Sequence, residues 1–70
     1  IELDTNIVSS DSLDIIQEEI IRKLADRENV WSWRIIDEFQ VDNRNKITIR
    51  VSYFNLSDQD AKKLHDEIFG

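Results

Sequence analysis

Apolar and polar residues alternate without a break along Lys46–Phe54. Ile47, Ile49, Val51 and Tyr53 fall on one side of an extended chain, and Thr48, Arg50 and Ser52 on the other. A run of β-favouring residues with this period predicts a strand with one face on a core and one in water. It is taken as the central strand. Ile1–Ile7 alternates in the same way, with Ile1, Leu3 and Ile7 on one face and an end near Val8. From Val30 to Val41 the odd positions Trp31, Trp33, Ile35, Phe39 and Val41 are apolar, but Asp37 interrupts them and Ile36 stands among polar even positions. That slip of one residue predicts a β-bulge near Ile36 and Asp37, which turns the carboxylate to solvent. A regular strand would instead bury Asp37, and an unpaired buried charge costs several kcal/mol.

Between the strands the period changes to that of a helix. Ser9-Ser10-Asp11-Ser12 offers N-cap residues, and from about Ser12 to Arg27 Leu13, Ile16, Ile20, Ile21 and Leu24 form one stripe with Ile15 opposite it. Glu18/Arg22 and Glu19/Lys23 add pairs at i,i+4. Asn29 is the expected left-handed C-cap. Asp42-Asn43-Arg44-Asn45 reads as a hairpin loop. Ser57 is the N-cap of a second helix, with Asp60 three residues on, Leu56 and Ala61 as a hydrophobic staple, and Ala61, Leu64 and Ile68 as its stripe.

The predicted order is β-α-β-β-α, a single α+β domain over residues 1–70. Two amphipathic helices and one-sided strands pack best as two layers, a three-stranded sheet of order 1-3-2 with both helices on one face. This layout resembles a ferredoxin-like fold lacking its last strand, an architecture shared by many functions. Leu3, Leu13, Ile16, Ile20, Leu24, Trp33, Ile35, Ile47, Ile49, Val51, Leu64 and Ile68 form the expected core, and both tryptophans are expected to be core residues rather than a ligand platform. The first strand is left as an open edge.

Composition narrows what such a domain does. Seventy residues support only a small core, and with no cysteine there is no disulfide or thiolate ligand to reinforce it. Packing and association with another chain remain. The hydrophobic fraction of 40% and charged fraction of 34% suit a folded chain. No apolar run approaches a membrane span and the start lacks the pattern of a signal peptide, so a soluble, cytoplasmic protein without membrane insertion is expected. The chain starts at Ile1 rather than Met, as a piece of a longer protein would. The net charge is −6, and residues 1–20 hold Glu2, Asp4, Asp11, Asp14, Glu18 and Glu19 with no Lys or Arg. Direct nucleic-acid binding is not expected of such a field, which attracts basic surfaces instead.

Candidate chemistry is sparse. His65 is the only histidine and has no second ligand at metal spacing, so a packing or helix-end role is expected. No carboxylate cluster follows a calcium loop, and no glycine-rich phosphate loop or nucleophile triad is present. Asn55-Leu56-Ser57 matches a glycosylation acceptor but serves equally as a helix entry. No catalytic residue, metal or cofactor is expected. The leading expectation is a non-catalytic interaction or regulatory module that forms a homodimer or other homo-oligomer. Glu2, Asp4, Asp11, Asp14, Ile15 and Glu18 are its candidate partner-binding residues. An acidic decoy that mimics nucleic acid on a basic protein surface is the alternative, and a small metal binder or enzyme built on Asp37, Glu38 and His65 comes third.

Overall fold

The computed structural model describes residues 1–70. Its elements are β1 (Glu2–Ser9), α1 (Leu13–Leu24), β2 (Val30–Val41), β3 (Arg44–Tyr53) and α2 (Asp58–Phe69). The sheet has the order β1-β3-β2, with β3 antiparallel to both neighbours. This is the α+β, truncated ferredoxin-like layout that the hydrophobic pattern predicts.

Each element is set by local chemistry. The Ser12 side chain accepts from the Ile15 N–H at 3.4 Å and that of Ser57 from the Asp60 N–H at 3.1 Å, so both helices start on hydroxyl caps. Acidic residues occupy both first turns, and Arg22 and Lys23 the last turn of α1, as the helix dipole favours. Asp42 and Asn43 both have positive φ, 52° and 66°, the conformation a two-residue hairpin needs to match strand twist. The loop is therefore shorter than the sequence suggests, and β3 already begins at Arg44.

Ile47, Ile49, Val51 and Tyr53 on the inner face of β3 pack against Ile16, Ile20 and Leu24 of α1 and Ala61 and Ile68 of α2 in one buried cluster. Both helices thus cover the same face. Leu3, Leu13, Trp33, Ile35 and Leu64 are partly buried around it. Replacing Ile49, which is fully enclosed, by Ala costs about 2–5 kcal/mol on general grounds.

Four placements differ from the sequence reading. Ile21 is 57% exposed, because one step of 100° beyond Ile20 carries it off the core side of α1. Trp31 is 74% exposed rather than a core residue. The β2–β3 register shifts between Val30 and Ser32, so Trp31 is the extra residue of a bulge and stacks edge-on to Phe54 with ring centroids 5.8 Å apart. The expected bulge after Ile35 is present, and Asp37 is exposed opposite Thr48. Beyond it the side chains exchange faces, so Phe39 and Val41 join the outer face while Glu38 and Gln40 take the inner positions opposite Ile47 and Asn45. Finally, α1 ends earlier than expected, with Asp26 in the left-handed region at φ 61°. Asn29 instead extends the sheet: its carbonyl accepts from the Phe54 N–H at 2.9 Å and its Nδ2 donates to the Phe54 carbonyl at 3.1 Å.

Candidate functional site

The backbone of β1 forms an outer edge of the sheet. Ile1 and Tyr53 exchange both backbone hydrogen bonds, Ile1 N to Tyr53 O at 3.1 Å and Tyr53 N to Ile1 O at 2.8 Å. In an antiparallel ladder such exchanging pairs alternate, so Leu3, Thr5, Ile7 and Ser9 bond β3. The N–H and C=O groups of Glu2, Asp4, Asn6 and Val8 consequently point away from the sheet along a free edge. The β1–β3 register runs from Glu2↔Ser52 to Ser9↔Asn45 without a shift. By contrast, β2 is interrupted twice.

The even residues of β1 also supply one column of the uncovered sheet face. Arg50 grips Asp4 side-on, Nε to Oδ1 at 2.8 Å and Nη2 to Oδ2 at 3.1 Å, and these hydrogen bonds hold the Asp4 carboxyl below its ordinary pKa. Arg50 is raised in turn by the same partner. Ser52 donates to Glu2 at 3.1 Å, Arg34 lies 4.0 Å from the Glu2 carboxylate, and Thr48 donates to Asn6 at 2.7 Å. At the hairpin end the face turns apolar, with Val8 and Phe39 flanking Lys46, whose ammonium sits 5.4 Å from the Phe39 ring centroid.

Beneath β1 lies a polar chain within the core. His65, 9% exposed on α2, hydrogen-bonds Thr5 Oγ1 through Nε2 and the Tyr53 hydroxyl through Nδ1, the latter at 2.6 Å. The phenol is the stronger acid of the two hydroxyls. A proton on Nε2 therefore lets the imidazole donate to Thr5 and accept from Tyr53, and no buried side-chain polar atom is left without a partner. Burial pushes the Tyr53 hydroxyl up to about 12. This chain ties β1, β3 and α2 together. It includes no acid to orient the imidazole, and the Tyr53 and Thr5 hydroxyls already occupy both ring nitrogens. The sequence held a signal for it, since Thr5, Tyr53 and His65 are the polar atoms on three otherwise apolar stripes. A cleft of about 220 Å³ opens where Thr5, Asn6 and Ile7 meet Ile16, Glu19, Ile20, Lys23 and Phe69.

The six residues singled out from the sequence divide between the two layers. Glu2 and Asp4 lie on the open sheet face, where Arg34, Arg50 and Ser52 engage them. Asp11 lies at the approach to α1, and Asp14, Ile15 and Glu18 are exposed on the helix itself. Asp11, Asp14, Glu18 and Glu19 there face only Arg22 and Lys23 as bases of the same segment, whereas the sheet face sets Arg34, Arg44, Lys46 and Arg50 against Glu2, Asp4 and Asp37. The acidic excess thus belongs to the helix layer. Asp37 and Glu38 are exposed on β2 while His65 is enclosed under α2, and no three His, Cys, Asp or Glu side chains converge as a metal site.

No protein-family model matches this chain, and comparison with curated proteins finds no relative.

Proposed function

We propose that the chain is a non-catalytic association module that self-associates by adding a strand to the free edge of β1. The observation that carries this reading is the contrast between eight residues of unbulged edge on β1 and the doubly bulged edge of β2. A small core without disulfides gains stability from association, because a partner that binds only the folded state shifts the folding equilibrium. Regular edge strands are commonly protected by charge, and Glu2 and Asp4 are the only charges on this one. Both are drawn towards Arg50, Ser52 and Arg34 on the face and leave the backbone groups accessible.

Sedimentation at high micromolar concentration provides the test, with Asn6→Pro as the discriminating variant. The Asn6 N–H points outward, so proline removes a donor from the free edge and spares the β3 ladder. The parent should sediment as a dimer and Asn6→Pro as a folded monomer. A parent that stays monomeric overturns the reading.

A second reading draws on the distribution of charge. The exposed acids of α1 offer a docking surface for a basic protein, as an acidic decoy requires. Affinity on that surface would fall steeply with salt, whereas strand pairing would not.

A further inference from the structure

We infer that the second copy enters in one register: β1 pairs antiparallel with its counterpart about a two-fold axis, and Thr5 lies opposite the partner's Thr5. The inference rests on the edge-pairing reading above and adds to it the geometry of the joint.

Three constraints select the register. Only Glu2, Asp4, Asn6 and Val8 have free backbone groups, so exchanging pairs must join even residues to even residues. The helix-covered faces must also coincide, which again requires opposed residue numbers with an even sum. Charge separates the remaining choices. Sums of 6 and 8 place Glu2 opposite the partner's Asp4 or Asp4 opposite the partner's Asp4, like charges directly across a strand pair. A sum of 12 avoids this but takes Glu2 out of the pairing and sets Leu3 opposite the partner's Ser9. A sum of 10 places Glu2 opposite the partner's Val8, Asp4 opposite the partner's Asn6, and Leu3 opposite the partner's Ile7. It opposes no like charges and keeps the apolar residues together on the helix side.

This register joins the two sheets into one of six strands with all helices on the same side. The partner's Leu3 then falls beside Ile7, at the cleft lined by Thr5, Asn6, Ile7 and Phe69. Thr5, which hydrogen-bonds His65, sits on the two-fold axis, so the two polar chains of the dimer meet there. Heterologous pairing of β1 with β2 would instead propagate as a filament, and the bulges of β2 oppose it.

The chain has no native cysteine, so Val8→Cys gives a single site for a nitroxide label. Position 8 is 54% exposed on the outer face. In the inferred register the two position-8 backbones are offset by six residues, about 20 Å apart along the strands. Dipolar spectroscopy should read a distance near that value. A sum of 12 would give about 14 Å and a sum of 8 about 27 Å.

Charge at position 6 is an independent readout. Asn6→Lys should tighten the dimer and Asn6→Asp loosen it, because each faces the partner's Asp4, with dissociation constants about tenfold or more apart. If Asn6 instead faced itself, both variants would loosen the dimer. A dimer with another distance, or weakened by both charges, overturns the register and leaves edge pairing standing. A dimer indifferent to Asn6→Pro, or no dimer at all, overturns both.

Discussion

The two edges of this sheet are built from strands of opposite character. β1 is short, regular and matched to β3 residue for residue, whereas β2 is longer and breaks register at Trp31 and again after Ile35. A bulge leaves a residue unpaired and increases local twist, so the β2 edge is less suited than the β1 edge to an added strand. The β2 bulges also re-aim side chains: the first turns Trp31 out against Phe54, and the second moves Phe39 and Val41 to the open face. A domain this small thus gathers its irregularity into one edge strand. One edge is broken twice by bulges, and the other remains a continuous row of donors and acceptors.

The largest expected effect strikes what the two edges share. Ile49 pairs with Thr5 on one side and Ile35 on the other and is fully enclosed. Ile49→Ala should lower stability by about 2–5 kcal/mol, a large share of what a domain of this size possesses, and shift the urea midpoint accordingly. An unchanged midpoint would mean that β3 does not hold both edges.

A more selective change would erase the contrast itself. Deleting Ile36 removes the extra residue between the Ile35↔Ile49 and Asp37↔Thr48 pairs and leaves every other facing of β2 intact. The variant should have an unbulged β2 edge from Ser32 to Val41, with only the Trp31 bulge left near its start, and should form assemblies larger than the parent's, visible by light scattering. If its assembly state matches the parent's, the bulge is not what protects β2.

Much of this arrangement was legible because period-2 and period-3.6 patterns bear directly on which side of an element is buried. Ile47 to Tyr53, the Ile16/Ile20/Leu24 stripe and the slip at Ile36 and Asp37 all expose their environment in the local spacing of apolar residues. Trp31 was not legible, since its alternation continues that of Trp33 and only pairing with β3 reveals the shift after Val30. The Thr5–His65–Tyr53 chain joins residues up to 60 positions apart, and its polar atoms had local signals but no local partner. The candidate surface fared likewise. Residues 1–20 lack a base in sequence, but Arg50 and Arg34 reach Glu2 and Asp4 from neighbouring strands.

Alkali tests the polar chain beneath β1, because that chain ends in the Tyr53 hydroxyl, which β2 does not contact through a side-chain hydrogen bond. Burial disfavours the phenolate and pushes the Tyr53 hydroxyl up from the ordinary 10.0 to about 12. A raised folded value favours the protonated native state, so the contribution is complete below pH 10 and is lost as pH rises towards 12. Stability should fall across that window in the parent. Tyr53→Phe should lower stability at neutral pH, where His65 loses its hydroxyl partner, and flatten the alkaline fall. An equally steep fall in the variant would assign the transition to other groups.

The smallest effect on folding is expected on the helix layer, where it separates the two readings of how the domain associates. Asp14 and Glu18 are exposed, four residues apart on α1, and neither forms an ion pair within the chain. Asp14 complements the positive end of the helix dipole, and Glu18 stands four residues before Arg22, an arrangement worth a few tenths of a kcal/mol. Changing them together to Asn and Gln should therefore leave folding within about 1 kcal/mol of the parent. Pairing through β1 uses neither side chain, so the self-association constant should not change. Docking on a basic partner through the helix layer requires both charges, so the double variant would bind more weakly at low salt and lose part of the salt dependence. Equal affinity of parent and variant for a basic partner at low salt would leave these acids with solubility and complementing the helix dipole as their roles, and would remove the decoy reading.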